Sequence, residues 1–511
     1  MTLMAVVNTV IPTITSSSGD VDKLCVTESE YQSAWKQLEQ IIPGDDWDQV
    51  AKRFLDENAS TAPGFQDAIQ RQLTQYITRD AQKGLKIILS ALDTRAGCLL
   101  MTGSTTSLHQ QSVNERQRVL QSWSTSYLPP LRSAARAFEQ LAIQDWLLKS
   151  ATLGPTLGFP RYPIHGKPGK GYDYSFLQFA PCDQPNEPEI ISTDVVIIGS
   201  GCGGAVCAKT LAEAGHRVIV ADKAYHFPPE HLPMSEHDAG IHLFHNGGLV
   251  QSDDQSIAVI AGNAWGGGGT INWSASLQTQ GFVRQEWADS HGGLPFFTSA
   301  YFQECLDRVC ERMGVSGDHV EHNKTNRVLM EGARKLGYSC KVVPQNTGGK
   351  KHYCGYCTLG CGSAEKQGPV ASFLPDAARA GAQFIEGFTA DKVLFDNVEG
   401  KKIATGVQGR WRSRDGNRGV SGPDRISRSV VIQAKRVIVS CGTLASPLLL
   451  LRSGLTNPQI GRNLYLHPGK SRSLFSQLCS IPPVNLLPTL DSPFIPQPPS
   501  SALPSPSITH R

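Results

Sequence analysis

The stretch that decides the fold is "TDVVIIGSGCGGAVCAKTLAEAGHRVIVADKA", residues 193–224. An apolar run from Val195 to Ile198 meets a glycine turn, then a small-residue helix, then a second apolar run that ends in Asp222. This order predicts a strand–turn–helix–strand unit of a parallel α/β sheet. Gly199, Gly201 and Gly204 give G-x-G-x-x-G, with Ser200 and Gly203 inside the turn. The first glycine permits the tight turn, the second lets backbone approach a pyrophosphate, and the third lets helix pack on strand. The helix N-terminus beyond them suits a diphosphate. Gly215 stops the helix, and Asp222 can accept from a ribose hydroxyl. A carboxylate there disfavours a 2′-phosphate, which leaves FAD or NAD.

Outward from this unit, the chain of 511 residues is long enough for more than one domain. A net charge of +3 gives no reason to expect a nucleic-acid partner. Thirteen cysteines without a small-domain disulfide spacing favour a reduced, intracellular compartment. The start, "MTLMAVVNTVIPTITSSSGD", lacks a basic leader and reads as a flexible N-terminus over residues 1–20. Residues 21–150 read as a helical extension, with Thr27 ahead of Glu28 and Glu30, and Pro129 and Pro130 opening a later helix. Within it, "LKIILSALDTRAGCLLM" (85–101) reads as a buried helix interrupted by charge rather than a membrane span. Residues 151–190, rich in Gly, Pro and Tyr, read as a linker, and 191–470 as the nucleotide domain with insertions near 281–385. Nine prolines between 481 and 511 mark residues 471–511 as a disordered tail.

A second glycine block, "GNAWGGGGTINWSAS" (262–276), carries Gly266, Gly267, Thr270 and Asn272 between two tryptophans. Such glycines let backbone press on a flat group, and Asn272 can hydrogen-bond it. Cys354, Cys357 and Cys361 have C-x2-C-x3-C spacing, which zinc or an iron–sulfur cluster could use if Cys340 or His352 completed the set. Packed thiols or a redox-sensitive pair are the other readings.

Together, "GSGCGG", "WGGGGTINWSAS" and "GTLASPLLLLRSGL" (442–455) resemble the glucose-methanol-choline (GMC) family of FAD oxidoreductases. The helical extension, the tryptophan-flanked glycines and "CGYCTLGC" are similar to its long-chain alcohol oxidases, over roughly residues 85–470. Thr456 departs from the glycine that usually closes the last signature. The resemblance implies a Rossmann-like FAD-binding domain with an incomplete substrate domain and no metal. It places Gly199 to Gly204 at the pyrophosphate, Asp222 at the ribose, and Gly266, Gly267, Thr270 and Asn272 beside the isoalloxazine. In "TADKVLFD" it makes Val393 the backbone contact of the adenine.

The implied reaction turns a long-chain primary alcohol and oxygen into aldehyde and hydrogen peroxide, with association to a membrane. A dehydrogenase using another acceptor and a non-catalytic flavin-binding remnant are the alternatives. The family's catalytic histidine belongs to a later segment, so its residues are expected to be missing here. His245, His291 and His352 lie in segments the family does not use as base, and His467 is read as structural. The change of composition after Lys470 is read as a break in the enzyme sequence.

Overall fold

In the computed structural model, the described residues are 1–466 without 18, 160–166, 182–186, 249, 254–256, 291–292 and 353–354. His291, Cys354, His467 and the 471–511 tail therefore lie outside them.

The centre is a six-stranded sheet. Its strands are β1 (Glu189–Ile198), β2 (Val218–Ala221), β3 (Gln383–Ile385), β4 (Phe388–Val398), β5 (Lys401–Arg412) and β6 (Ser427–Val439), in the order β4-β5-β6-β1-β2-β3. The β6, β1, β2 and β3 neighbours are parallel, and β4, β5 and β6 form an antiparallel meander. Strand β1 sits mid-sheet, with Val195 opposite Val218 and Ile198 opposite Ala221. Both faces are covered, which explains its uninterrupted apolar run. Val196, Ile198, Ile219 and Ala221 pack on one side with Phe388, Val407 and Trp411. Val195, Ile197, Val218 and Val220 pack on the other with Ala205, Ala208 and Trp265.

Ahead of the sheet, residues 1–157 are mainly helical. Here α1 (Thr2–Val10), α2 (Glu28–Ile41) and α3 (Pro129–Lys149) are the elements that matter below. Thr27 and Glu30 close a reciprocal capping box on α2, and prolines open α3. Among the described residues no helix is long and apolar enough to cross a membrane. The 85–101 stretch falls in two helices, Arg79–Leu92 and Arg95–Thr102, with Thr94 capping the second.

Two expectations are corrected. Residues 1–20 are not a flexible start: α1 buries Val6 and Val7, and Arg116 donates to the Ala5 carbonyl at 3.0 Å. The apolar run "LMAVV" has enough surface to dock, a tertiary effect that a search for a basic leader does not register. Nor is all of 151–190 a linker. Leu177 donates to the Phe384 carbonyl at 2.9 Å beside a parallel bridge from Phe176 to Phe384. Tyr174 packs on His226, Trp265 and Phe384, and Phe179 meets Trp411 edge-on at 5.1 Å. This part of the segment lines the open edge of β3 through Phe176 and Leu177.

Within the helical part, Asp145 of α3 is buried and its Oδ2 has no hydrogen-bond partner among the described residues. Burial raises its pKa to about 6, against the opposing pull of Lys149 and Arg71. A raised carboxyl favours the fold while protonated, and this contribution is lost as pH rises through 6. Asp145→Asn is therefore expected to stabilise the chain above pH 6, by up to about 3 kcal/mol, and to have no effect below about pH 4. Thermal melts of the two proteins at both pH values check this; a stabilisation that persists at low pH contradicts it.

Candidate flavin site

The glycine turn lies between β1 and α4 (Cys202–Glu213). Gly199 has φ +107°, and a Cβ there would stand 2.2 Å from the Ser440 carbonyl oxygen. A Cβ on Gly204 would stand 1.9 Å from the Gly199 carbonyl oxygen, so the third glycine is what lets α4 approach β1. Gly203 faces the Ser440 hydroxyl, whose atom would be 3.0 Å from an added Cβ. Gly201 is the N-cap of α4, and no side chain caps that helix. Cys202 and Gly203, in its first turn, are exposed, which leaves the positive end of the helix open to an anion.

Asp222 follows β2. Its Oδ2 accepts from the Ser200 amide at 2.7 Å and the Ser200 hydroxyl at 2.6 Å, and its Oδ1 accepts from the Ala224 amide at 2.9 Å. The Ser200 hydroxyl in turn accepts from the Gly266 amide at 2.9 Å, and Ser200 is fully buried. One hydroxyl thus joins the turn, the acid and the second glycine block. That block continues through Gly267 (φ +57°) into the single turn α5 (Gly268–Ile271). A Cβ on Gly267 would come within 2.9 Å of the Gly201 Cα. The two backbones are bare where they meet, and a diphosphate needs such a cradle.

Thr270 is turned inward, its hydroxyl donating to the Trp265 carbonyl at 2.6 Å. The Asn272 side chain accepts from the Ser274 amide at 3.1 Å, leaving its amide nitrogen for another partner. The carbonyls of Thr270 and Asn272 each accept from buried Lys366 Nζ at 2.8 Å. Val393 lies in β4 in the same apolar cluster as Ile198 and Ala221, but its amide donates to the Ser453 hydroxyl at 2.8 Å. An adenine read by that amide must therefore displace Ser453. Ser453 follows α6 (Gly442–Arg452), the helix formed by the "GTLASPLLLLR" signature.

Sequence reading missed a cavity of about 390 Å³ beside α5, walled by Phe227, Leu232, Trp265, Val370, Thr270 and Lys366. His226 also faces it, with its pKa pushed down to about 3 by burial and by Arg414, so the ring is neutral at physiological pH. The His226 amide donates to Glu386, which is ion-paired with Arg414 at 2.6 Å. Neither residue belongs to a short motif, and no sequence spacing signals the set.

Cys357, Cys361 and His352 do approach one another. Among the described residues, however, no group of three or more His, Cys, Asp or Glu side chains is arranged to hold a metal ion.

Comparison with known proteins identifies the family. Residues 241–469 match the family model described as GMC oxidoreductase, and residues 194–255 match an FAD binding domain. Long-chain-alcohol oxidase FAO4B of Arabidopsis thaliana is 32% identical over 468 residues, covering 80% of this chain and 60% of that protein. Long-chain-alcohol oxidase FAO3 of the same plant is 30% identical, with 82% of this chain and 60% of the relative covered. FAO4A is 39% identical over 280 residues, 54% of this chain and 36% of the relative. The chain thus spans about three-fifths of the length of FAO4B and FAO3. On these matches and on the bare-backbone cradle beside Asp222, the chain belongs to the GMC oxidoreductase family, with FAD as its cofactor.

Proposed function

We propose that this chain forms the flavin-holding part of an oxidase of long-chain primary alcohols, yielding aldehyde and hydrogen peroxide. The observation that carries the reading is the Ser200 hydroxyl, which fixes Asp222 and Gly266 to one point. In this arrangement the first turn of α4, with Gly199, Gly201, Gly203 and Gly204, holds the pyrophosphate and Asp222 orients the ribose. Gly266, Gly267, Thr270 and Asn272 lie against the isoalloxazine, and Val393 reads the adenine. When bound, FAD supplies the acceptor for the hydride of the alcohol carbon.

The apolar walls of the cavity beside α5, Phe227, Leu232 and Val370 among them, suit an alkyl chain and exclude water. The chain's own part in the chemistry is then binding and orientation; no described residue is assigned as the base. The substrate class follows the relatives' names. An intracellular setting agrees with thirteen cysteines that lack a small-domain disulfide spacing. Association with a membrane surface would use Ile87, Leu99 and Leu100, exposed on the two helices over 79–102.

Three outcomes follow. Gly267→Ala forces a Cβ against Gly201 in a left-handed conformation and is expected to remove flavin absorbance from a protein that still folds; retention of stoichiometric FAD sinks the cradle. Ser200→Ala leaves the Gly266 amide buried without its partner, so the FAD-loaded protein is expected to lose about 1–3 kcal/mol in denaturant melts. With lauryl alcohol, peroxide is expected to accumulate in step with substrate loss; dye reduction without peroxide would instead identify a dehydrogenase.

A further inference from the structure

Beyond the flavin cradle, one cluster of reactive side chains remains unused. His352 has a side chain only 5% exposed, lodged between a carboxylate and a thiol. Its Nδ1 lies 2.8 Å from Glu365 Oε2, and its Nε2 lies 2.9 Å from the Cys357 sulfur. The Ser363 hydroxyl donates to the same Glu365 oxygen at 3.1 Å, holding the carboxylate in line. Burial opposes charge on His352. Hydrogen bonds to the Cys357 and Cys361 sulfurs and to Glu365 outweigh it and push its pKa up to about 11. The ring is thus a cation at neutral pH, with both N–H groups donating.

Cys357 is half-buried, at the start of a single 3-10 turn, and Cys361 is buried behind it. The Cys357 sulfur bonds the imidazole, and the Cys361 sulfur helps to hold its charge. Lys366 clamps the loop by donating to the Cys357 carbonyl at 2.9 Å. A partly accessible thiol, an imidazolium pointing at it, a carboxylate orienting that ring and a second thiol on the same loop are the parts of a reactive-cysteine site.

We propose that Cys357 is a peroxide-reactive cysteine, positioned by His352 and Glu365, with Cys361 as its resolving thiol. The Cys357 sulfur attacks the terminal oxygen of hydrogen peroxide or an alkyl hydroperoxide, and its S–H proton passes to His352 Nε2 as that nitrogen gives its own proton away. The O–O bond breaks, and the leaving oxygen takes a proton from His352 Nε2 and departs as water or an alcohol. Cys357 becomes a sulfenic acid, oxidised by two electrons, while the peroxide is reduced by two. The Cys361 thiol then attacks the sulfenic sulfur. The S–S bond forms, the S–O bond breaks, and the hydroxyl leaves as water with the Cys361 proton. The assignment does not depend on the proposed alcohol oxidation, since the oxidant can be added.

The test uses the full 511-residue protein, reduced and then exposed to hydrogen peroxide with a cyclic diketone that traps sulfenic acid. Peptide mass mapping follows each cysteine. Labelling of Cys357 is expected to outpace that of exposed Cys340 by about tenfold or more at pH 7. His352→Ala is expected to abolish this lead and added imidazole to restore it, which repair of a mere packing defect would not do. Should His352→Ala fail to fold, Glu365→Gln carries the same expectation of a slower reaction. Without the trap, a Cys357–Cys361 disulfide is expected, and Cys361→Ser should leave the sulfenic acid standing. Equal labelling of Cys357 and Cys340, or a His352→Ala protein that reacts at the parental rate, overturns the proposal. A disulfide from Cys357 to another cysteine overturns the role of Cys361.

Discussion

The site depends on one buried hydroxyl. Ser200 donates to Asp222 and accepts from the Gly266 amide, so the end of β1, the end of β2 and the start of α5 share an atom. The buried Gly266 amide, left without its partner, would cost more than an ordinary hydrogen bond contributes. That asymmetry makes the junction specific. Once it is fixed, Gly267 faces Gly201 so closely that a Cβ on Gly267 would collide with the Gly201 backbone. Two glycine blocks more than sixty residues apart in the chain are therefore one surface. Where they meet, backbone lies against backbone with no side chain between.

A second buried group extends the same logic outward. The Lys366 ammonium donates to the carbonyls of Thr270, Asn272 and Cys357, spreading its charge over three dipoles. A lysine in this position is costly unless it is so solvated, and the carbonyls are held in register by the need to solvate it. The cysteine loop is thereby fastened to the turn that follows α5, and neither can shift alone. The chemistry around Cys357 and the flavin cradle are neighbours because one cation serves both.

How much of this the sequence disclosed depends on the range of the interaction. Strand β1, its glycine turn, α4 and β2 follow from local patterns, as do the Thr27 cap and the prolines of α3. Each is decided within a few residues by sterics or by orphan amides. The docking of α1 and the aromatic ladder of Tyr174, Phe176 and Phe179 depend on partners at Arg116, Phe384 and Trp411. Nothing near those residues in the chain announces such contacts. Val393 shows the same limit at the site itself. Its strand is legible, but the Ser453 hydroxyl occupying its amide comes from sixty residues away.

The cysteine loop carries the contrast furthest. C-x2-C-x3-C spacing describes where sulfurs recur, and a metal, a disulfide or a packed core satisfy it equally. What separates those outcomes is the identity of the non-sulfur neighbours and the direction of their hydrogens. Here the imidazole between Glu365 and Cys357 has a carboxylate on one nitrogen and a sulfur on the other. A metal would need that second nitrogen as a bare lone pair, whereas an imidazolium presents a proton there. With Glu365 holding Nδ1, the ring is oriented so that Nε2 faces sulfur. The carboxylate, which no cysteine motif includes, is the partner that fixes the direction of this ring.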